Sequence, residues 1–156
     1  SEHKSVKIKN PRSTRPWQHV LEPLSGYLLL ASKLFMEESK INGQAFNFGP
    51  SNDQNKNVGE VVRYMSEIWG DSKWEIKQDP LNSFEECSLL KLNCDKAINL
   101  LGWDQVWDYD TTITETVKWY KNFYIDKSIS PKEFTLNQIN SYEKQAIKKG
   151  LVWTIQ

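Results

Sequence analysis

The chain has 156 residues, which is enough for one domain with a modest core. Its 20 basic and 20 acidic side chains cancel, so no overall field would draw it to nucleic acid or to an anionic membrane. The sequence has no signal-peptide pattern and no run of 18 apolar residues, so we expect a soluble, cytoplasmic protein. The two cysteines, Cys87 and Cys94, form neither a Cys-x-x-Cys motif nor a zinc-ligand pattern.

The first half of the chain alternates short extended pieces with amphipathic helices. In chain order, the predicted elements are an extended piece over 6–9, a helix over 22–38, a strand over 44–48, a helix over 58–69 and a strand over 74–78. The first helix carries one apolar stripe, formed by Leu24, Leu28, Ala31 and Phe35. Gly70 is placed to end the second helix.

The second half is predicted to be mostly helical. A short helix, capped by Asn93 or Asp95, would end at Leu101 before Gly102, and an irregular aromatic run follows over 103–109. Two further helices are predicted from capping boxes, Thr112-x-x-Glu115 for a helix to about Tyr124 and Thr135-x-x-Gln138 for a helix to Lys149. The class is therefore α/β, with about five helices and short strands in one domain over 1–156, and residues 1–5 and 150–156 are expected to form tails.

Residues 12–23 contain the most informative local pattern in the chain. The Arg15 guanidinium offers a planar fork of donors that matches a phosphate, and Pro16 biases Arg15 towards an extended backbone. Residues 1–15 hold five basic residues and one acidic residue, which is compatible with an anion nearby. Two interpretations stay open at this point: Arg15 binds a phosphate, or it stacks on Trp17 at the surface.

The amino-acid sequence of this stretch resembles a segment found in a known protein family. Arg-Pro-Trp-Gln-His-Val-Leu-Glu-Pro-Leu-Ser-Gly-Tyr, at 15–27, is similar to a segment of the CDP-glucose 4,6-dehydratases, which belong to the extended short-chain dehydrogenase/reductase superfamily. Further similar segments follow in the family's order, namely Ala-Phe-Asn-Phe-Gly-Pro at 45–50, Leu-Lys-Leu-Asn-Cys-Asp-Lys-Ala at 90–97, Leu-Gly-Trp at 101–103, Thr-Val-Lys-Trp-Tyr at 116–120 and Phe-Thr-Leu-Asn-Gln-Ile at 134–139.

The resemblance implies the C-terminal, substrate-binding portion of such an enzyme, with the Rossmann half absent. None of the seven glycines is spaced as Gly-x-Gly-x-x-Gly, and none of the six tyrosines has a lysine four residues later. NAD is thus implied by the family and would be bound by the absent N-terminal half. We expect no catalytic residue in this chain and no activity from it alone.

The reaction implied by the resemblance converts CDP-glucose to CDP-4-keto-6-deoxyglucose, a step of deoxysugar biosynthesis for lipopolysaccharide. In that reaction a hydride leaves C4 for NAD, water is lost across C5–C6, and the hydride returns at C6. The implied partners are the nucleotide sugar and the absent Rossmann half. We also expect a homo-oligomer, because helix 22–38 and the run 103–109 would expose apolar surface; no nucleic acid or membrane partner is expected.

Five residues are implied as substrate-binding by their positions in the family's segments: Arg15, Trp17, Asn47, Glu86 and Asn93. Arg15 would contact the diphosphate, Asn47 would lie near the nucleotide, and Asn93 would lie near the ribose or base. Structural roles are the alternatives for Asn47, as a turn residue, and for Trp17 and His19, as core residues.

Two departures from the family bear on the base that is recognised. Asn93 stands where relatives have Asp, and Glu85 stands where many have His, although Glu86 fits the pattern. Another nucleotide-sugar epimerase or dehydratase, or a nucleotide-sugar-binding module without catalysis, therefore remains an alternative.

Overall fold

The computed structural model describes residues 5–36, 40–51, 55–70, 73–77 and 90–155. Its strands are β1 (Val6–Ile8), β2 (Thr14–Arg15), β3 (Lys56–Asn57) and β4 (Trp74–Ile76). Its helices are α1 (Leu21–Phe35), α2 (Val58–Trp69), a π-helix over Ala97–Leu101, α3 (Tyr109–Lys121) continued by a π turn over Asn122–Asp126, α4 (Pro131–Lys149) and a 3-10 turn over Val152–Thr154. The predicted α/β class, with several helices and short strands, is confirmed.

The strands form two small pairs. β1 and β4 are parallel, with Val6 opposite Trp74, and β2 and β3 are antiparallel, with Arg15 opposite Lys56. Because β3 leads directly into α2, the second pair fixes Arg15 beside the start of that helix. The Asn57 side chain accepts a hydrogen bond from the Glu60 N–H, and the Glu60 carboxylate accepts one from the Asn57 N–H, which completes a capping box.

Helix α1 exposes its apolar stripe, as expected for helix 22–38, and packs through another face. Glu22, Gly26 and Leu29 are buried, whereas the predicted stripe faces outwards, with Leu28 73% and Phe35 89% exposed. Gly26 explains the choice of face, because a Cβ there would collide with the ring of Phe48. The helix can approach the loop over 44–50 only along its glycine side.

The aromatic run over 103–109 forms the core of the molecule and is not an exposed surface, so that expectation was wrong. Trp103 and Trp107 are almost fully buried. Trp103 packs edge-on against Phe48, and Trp107 packs edge-on against Tyr142 of α4. These rings join α1, the 44–50 loop and α4 into a common interior.

Four predicted boundaries differ from the structure. Residues 44–48 form no strand. Helix α3 begins after Asp108, whose side chain accepts from the Thr111 N–H, so Thr112 lies inside the helix and does not cap it. Helix α4 likewise begins after Ser130, with Pro131 in its first turn, and Thr135 does not cap it. Residues 150–155 pack against the core and form no tail, since Leu151 is buried.

No helix in the described ranges is long and apolar enough to cross a membrane.

Candidate functional site

Three of the segments that carry the family resemblance meet in space. The Gln18 side chain donates a hydrogen bond of 3.0 Å from Nε2 to the carbonyl oxygen of Phe48. The Asn47 side chain donates one of 3.2 Å from Nδ2 to the carbonyl oxygen of Asn93. Gly49 lies so close to Leu92 that a Cβ there would come within 2.9 Å of its side chain. The segments at 15–18, 47–49 and 92–94 therefore meet in one region, which is buried at Phe48, Gly49 and Cys94 and exposed at Asn47 and Asn93; we call it the convergence site.

Arg15 lies at one end of the convergence site, on strand β2. Its side chain is half-buried, and Nη1 donates a 2.7 Å hydrogen bond to the carbonyl oxygen of Thr14. The Arg15 carbonyl accepts from the Trp17 N–H at 2.9 Å, which forms a tight corner around Pro16. Gln18 then connects this corner to the 44–50 loop. The backbone around the guanidinium is thus fixed from both sides.

Asn47 and Asn93 are brought together directly, although 46 residues separate them. Both are exposed. The Asn93 amide also donates to Asp95 Oδ2 at 3.0 Å, and Asn93 Oδ1 accepts from the Asp95 N–H at 3.0 Å. Asn93 therefore holds the turn that leads into the π-helix, and its amide stands at the surface beside that of Asn47.

Trp17 points away from this pair. Its indole N–H donates a 2.8 Å hydrogen bond to the carbonyl of Lys56 on β3, and its ring packs against the cluster formed by Val61, Tyr109, Ile113 and Val117. These contacts tie β2 to α2 and α3, as the structural alternative for Trp17 requires. Glu85, Glu86 and Cys87 lie outside the described residues.

A buried carboxylate that we did not single out from the sequence lies at the start of α1, just after the Arg15 segment. Glu22 is fully buried, and its oxygens accept hydrogen bonds from the Val106 N–H at 3.0 Å, the Trp107 N–H at 2.8 Å and the Tyr142 hydroxyl at 2.8 Å. Burial raises the pKa of Glu22, and the three donors oppose that effect. The available signal was spacing, because Glu22 precedes Gly26 by four residues and Leu29 by seven.

His19 also contacts Trp107, the residue whose N–H donates to Glu22. It is buried, its ring lies 4.7 Å from that of Trp107 and edge-on to it, and its Nδ1 accepts from the Leu21 N–H. Burial lowers its pKa from 6.5 to about 4, so the ring is neutral at physiological pH. His19 therefore packs against Trp107 as an uncharged residue.

The chemistry that this region offers is recognition by hydrogen bonds and charge. Within the described ranges, no group of three His, Cys, Asp or Glu side chains could hold a metal ion. The residues also do not fit NAD, because no glycines have the spacing of a dinucleotide cradle, and Gly26 and Gly49 are occupied by packing against Phe48 and Leu92.

Comparison with known proteins supports the family resemblance seen in the sequence. No protein-family model matches the chain. The CDP-glucose 4,6-dehydratase of Salmonella typhimurium strain LT2 is 43% identical to it over 120 residues, which cover 76% of this chain and 33% of that protein. The chain is therefore related to the CDP-glucose 4,6-dehydratases, as its motifs indicated, and it matches about one third of the relative's length.

Proposed function

We propose that this chain is the substrate-binding part of an NAD-dependent dehydratase that converts CDP-glucose to CDP-4-keto-6-deoxyglucose. The observation that carries the proposal is the convergence of three separate family segments in one region. The identity to the Salmonella enzyme, which is named for this substrate, supports it independently. The product would supply deoxysugar and lipopolysaccharide assembly.

In this proposal Arg15 binds the diphosphate. An arginine fork matches phosphate oxygens in geometry as well as charge, and the corner at Pro16 fixes its starting direction. Asn47 and Asn93 offer amide donors and acceptors to the nucleotide, and Glu86 contributes from the segment outside the described residues. Trp17 serves by holding β2 in place against α2.

The reacting groups come from a separate NAD-binding lobe that covers the outer face of α1. That face is apolar and exposed, and it is formed by Leu24, Tyr27, Leu28, Leu34 and Phe35. A helix that is apolar on opposite faces is typical of the interior of a larger protein. About two thirds of the Salmonella relative lies outside the match, which leaves ample length for such a lobe. Without it, the chain alone would be inactive.

Binding experiments with three nucleotide sugars test the substrate. The protein joined to its NAD-binding lobe would be titrated by calorimetry with CDP-glucose, UDP-glucose and dTDP-glucose. We expect CDP-glucose to bind most tightly. Preference for UDP-glucose or dTDP-glucose would assign the chain to another nucleotide-sugar enzyme, and it would attribute the departures at Glu85 and Asn93 to a different base.

A further inference from the structure

A concave region lies between the π turn that follows α3 and the start of α4, and it shares no residue with the convergence site. The π turn over Asn122–Asp126, the loop after it and the start of α4 surround a depression of about 370 Å³. Phe123 and Pro131 supply apolar wall, and Lys127, Ser128 and Ser130 supply polar groups. An aromatic wall with a few polar groups at its edge is typical of small-molecule sites.

The aromatic wall is held rigidly. Phe123 stacks on Trp119 with ring centres 5.3 Å apart and planes within 9°, and Tyr124 meets it edge-on at 4.8 Å. The Trp119 indole N–H donates to Thr135 Oγ1 at 2.9 Å, which anchors the stack to α4. Phe123 remains 42% exposed while it lines the depression. Its aromatic surface is thus both fixed and accessible.

The polar edge is fixed as well, through one buried amide. Asn122 donates from Nδ2 to the Ile129 carbonyl at 3.0 Å and accepts from the Ser128 hydroxyl at 2.9 Å. The backbone carbonyl oxygen of Asn122 accepts a hydrogen bond of 2.8 Å from the Lys127 N–H. Lys127 has a φ of 46°, which makes it the one non-glycine residue with a positive φ in the part of the chain described. Lys127 is the left-handed residue that ends the π turn, and π turns are frequent at functional sites.

We propose that this depression binds a neutral pyranose ring, with Phe123 stacked against the apolar C–H face of the sugar. The Lys127 ammonium and the Ser128 and Ser130 hydroxyls then face the sugar hydroxyls, which both donate and accept hydrogen bonds. Residues 126–133 hold two acidic residues, Asp126 and Glu133, and two basic ones, Lys127 and Lys132, so the segment has no net charge, which favours a neutral sugar over a phosphate.

Nuclear magnetic resonance tests whether the depression binds the pyranose and not the nucleotide. The ¹⁵N-labelled chain would be titrated with methyl α-D-glucopyranoside and, separately, with CDP. We expect the glucoside to produce saturable shifts in the Lys127 and Ser128 amides and in the Trp119 indole, and CDP to leave them unchanged. Shifts in these signals with CDP alone, or none with the glucoside, would overturn the proposal.

Two variants and one control test the contacts. Phe123→Leu keeps an apolar side chain but loses the ring, and Lys127→Asn loses the ammonium while asparagine tolerates the left-handed backbone. Each should weaken glucoside binding roughly fivefold or more. The control Phe35→Leu, which removes an exposed ring from α1, should leave it unchanged. If Phe123→Leu alters the whole spectrum, Lys127→Asn decides, and wild-type affinity in that variant would contradict the proposal.

Discussion

At the scale of single residues, the buried side chains of His19 and Glu22 lead to the clearest predictions. His19 is neutral in the folded chain because burial lowers its pKa to about 4. An unfolded chain has the ordinary histidine pKa of 6.5 and takes up a proton sooner as the pH falls. Stability contributed by His19 is therefore fully present above pH 6.5 and is lost as the pH falls towards 4.

This loss should be about 3 kcal/mol across that range. Urea unfolding followed by circular dichroism at several pH values measures it. His19→Gln should flatten the decline, because the replacement does not titrate, whereas His3→Gln, at the other histidine of the chain, should keep it. An unchanged decline in His19→Gln would show that the acid sensitivity arises elsewhere.

Glu22 should be intolerant of even an isosteric change. In Glu22→Gln an amide group replaces one of the acceptor oxygens, so at least one donor among the Val106 N–H, Trp107 N–H and Tyr142 hydroxyl loses its acceptor. We expect a loss of about 1–3 kcal/mol in the free energy of unfolding at pH 7. Glu67→Gln, on the exposed side of α2, is the matched control and should change stability little. Equal stabilities of the two variants would remove Glu22 from the core network.

At the scale of elements, α2 shows how much local sequence decides. Its bounds and its stop at Gly70 were predicted from the sequence and are confirmed. Its capping box predicts a further result, since Glu60→Ala removes the acceptor for the Asn57 N–H and should cost about 1 kcal/mol. Glu60→Gln keeps an acceptor there and should retain most of the stability. Thermal unfolding would compare the stabilities of the two variants. Equal losses of stability in both would show that the capping box does not stabilise α2.

Elements that depend on distant partners were harder to predict. Residues 44–48 have the composition of a strand but pair with none, because side chains from Gln18 and Asn47 and the packing of Gly49 hold this segment instead. Helix α1 is apolar on two faces, and its periodicity could not show that Gly26 and Glu22 select the buried one. Thr112 and Thr135 have the residue pattern of caps, but Asp108 and Ser130 lie nearer the actual helix starts.

The candidate site divides in the same way. The motifs singled out Arg15, Asn47 and Asn93 through resemblance, yet the direct hydrogen bond from Asn47 to Asn93 joins segments whose separation obeys no sequence rule. Glu22 was missed because a lone acidic residue in a first helical turn is ordinarily a solvated one. The pattern of apolar residues in the sequence therefore predicted most helices, whereas the contacts between the segments were found only in the structure.

At the scale of the whole molecule, the exposed face of α1 should make the chain self-associate in the absence of the proposed NAD-binding lobe. Phe35 and Leu28 are the most exposed apolar residues of that helix, and contiguous apolar patches promote association. Phe35→Glu with Leu28→Glu should yield monomers in light scattering at concentrations where the wild type associates. Ile147→Glu, which alters an exposed apolar residue on α4, is the control and should leave association intact. A wild type that stays monomeric would contradict the proposed covering of α1.

The central claim is that Arg15 binds the diphosphate of a nucleotide sugar, and calorimetric titration of CDP-glucose tests it most directly. The proteins to compare are the complete enzyme, its Arg15→Ala variant and its Arg12→Ala variant, since Arg12 is an exposed arginine three residues away. A charged hydrogen bond contributes about 1.5–3 kcal/mol, so Arg15→Ala should weaken binding about tenfold or more, while Arg12→Ala should bind as the wild type does. Wild-type affinity in Arg15→Ala, with the fold intact, would contradict the account.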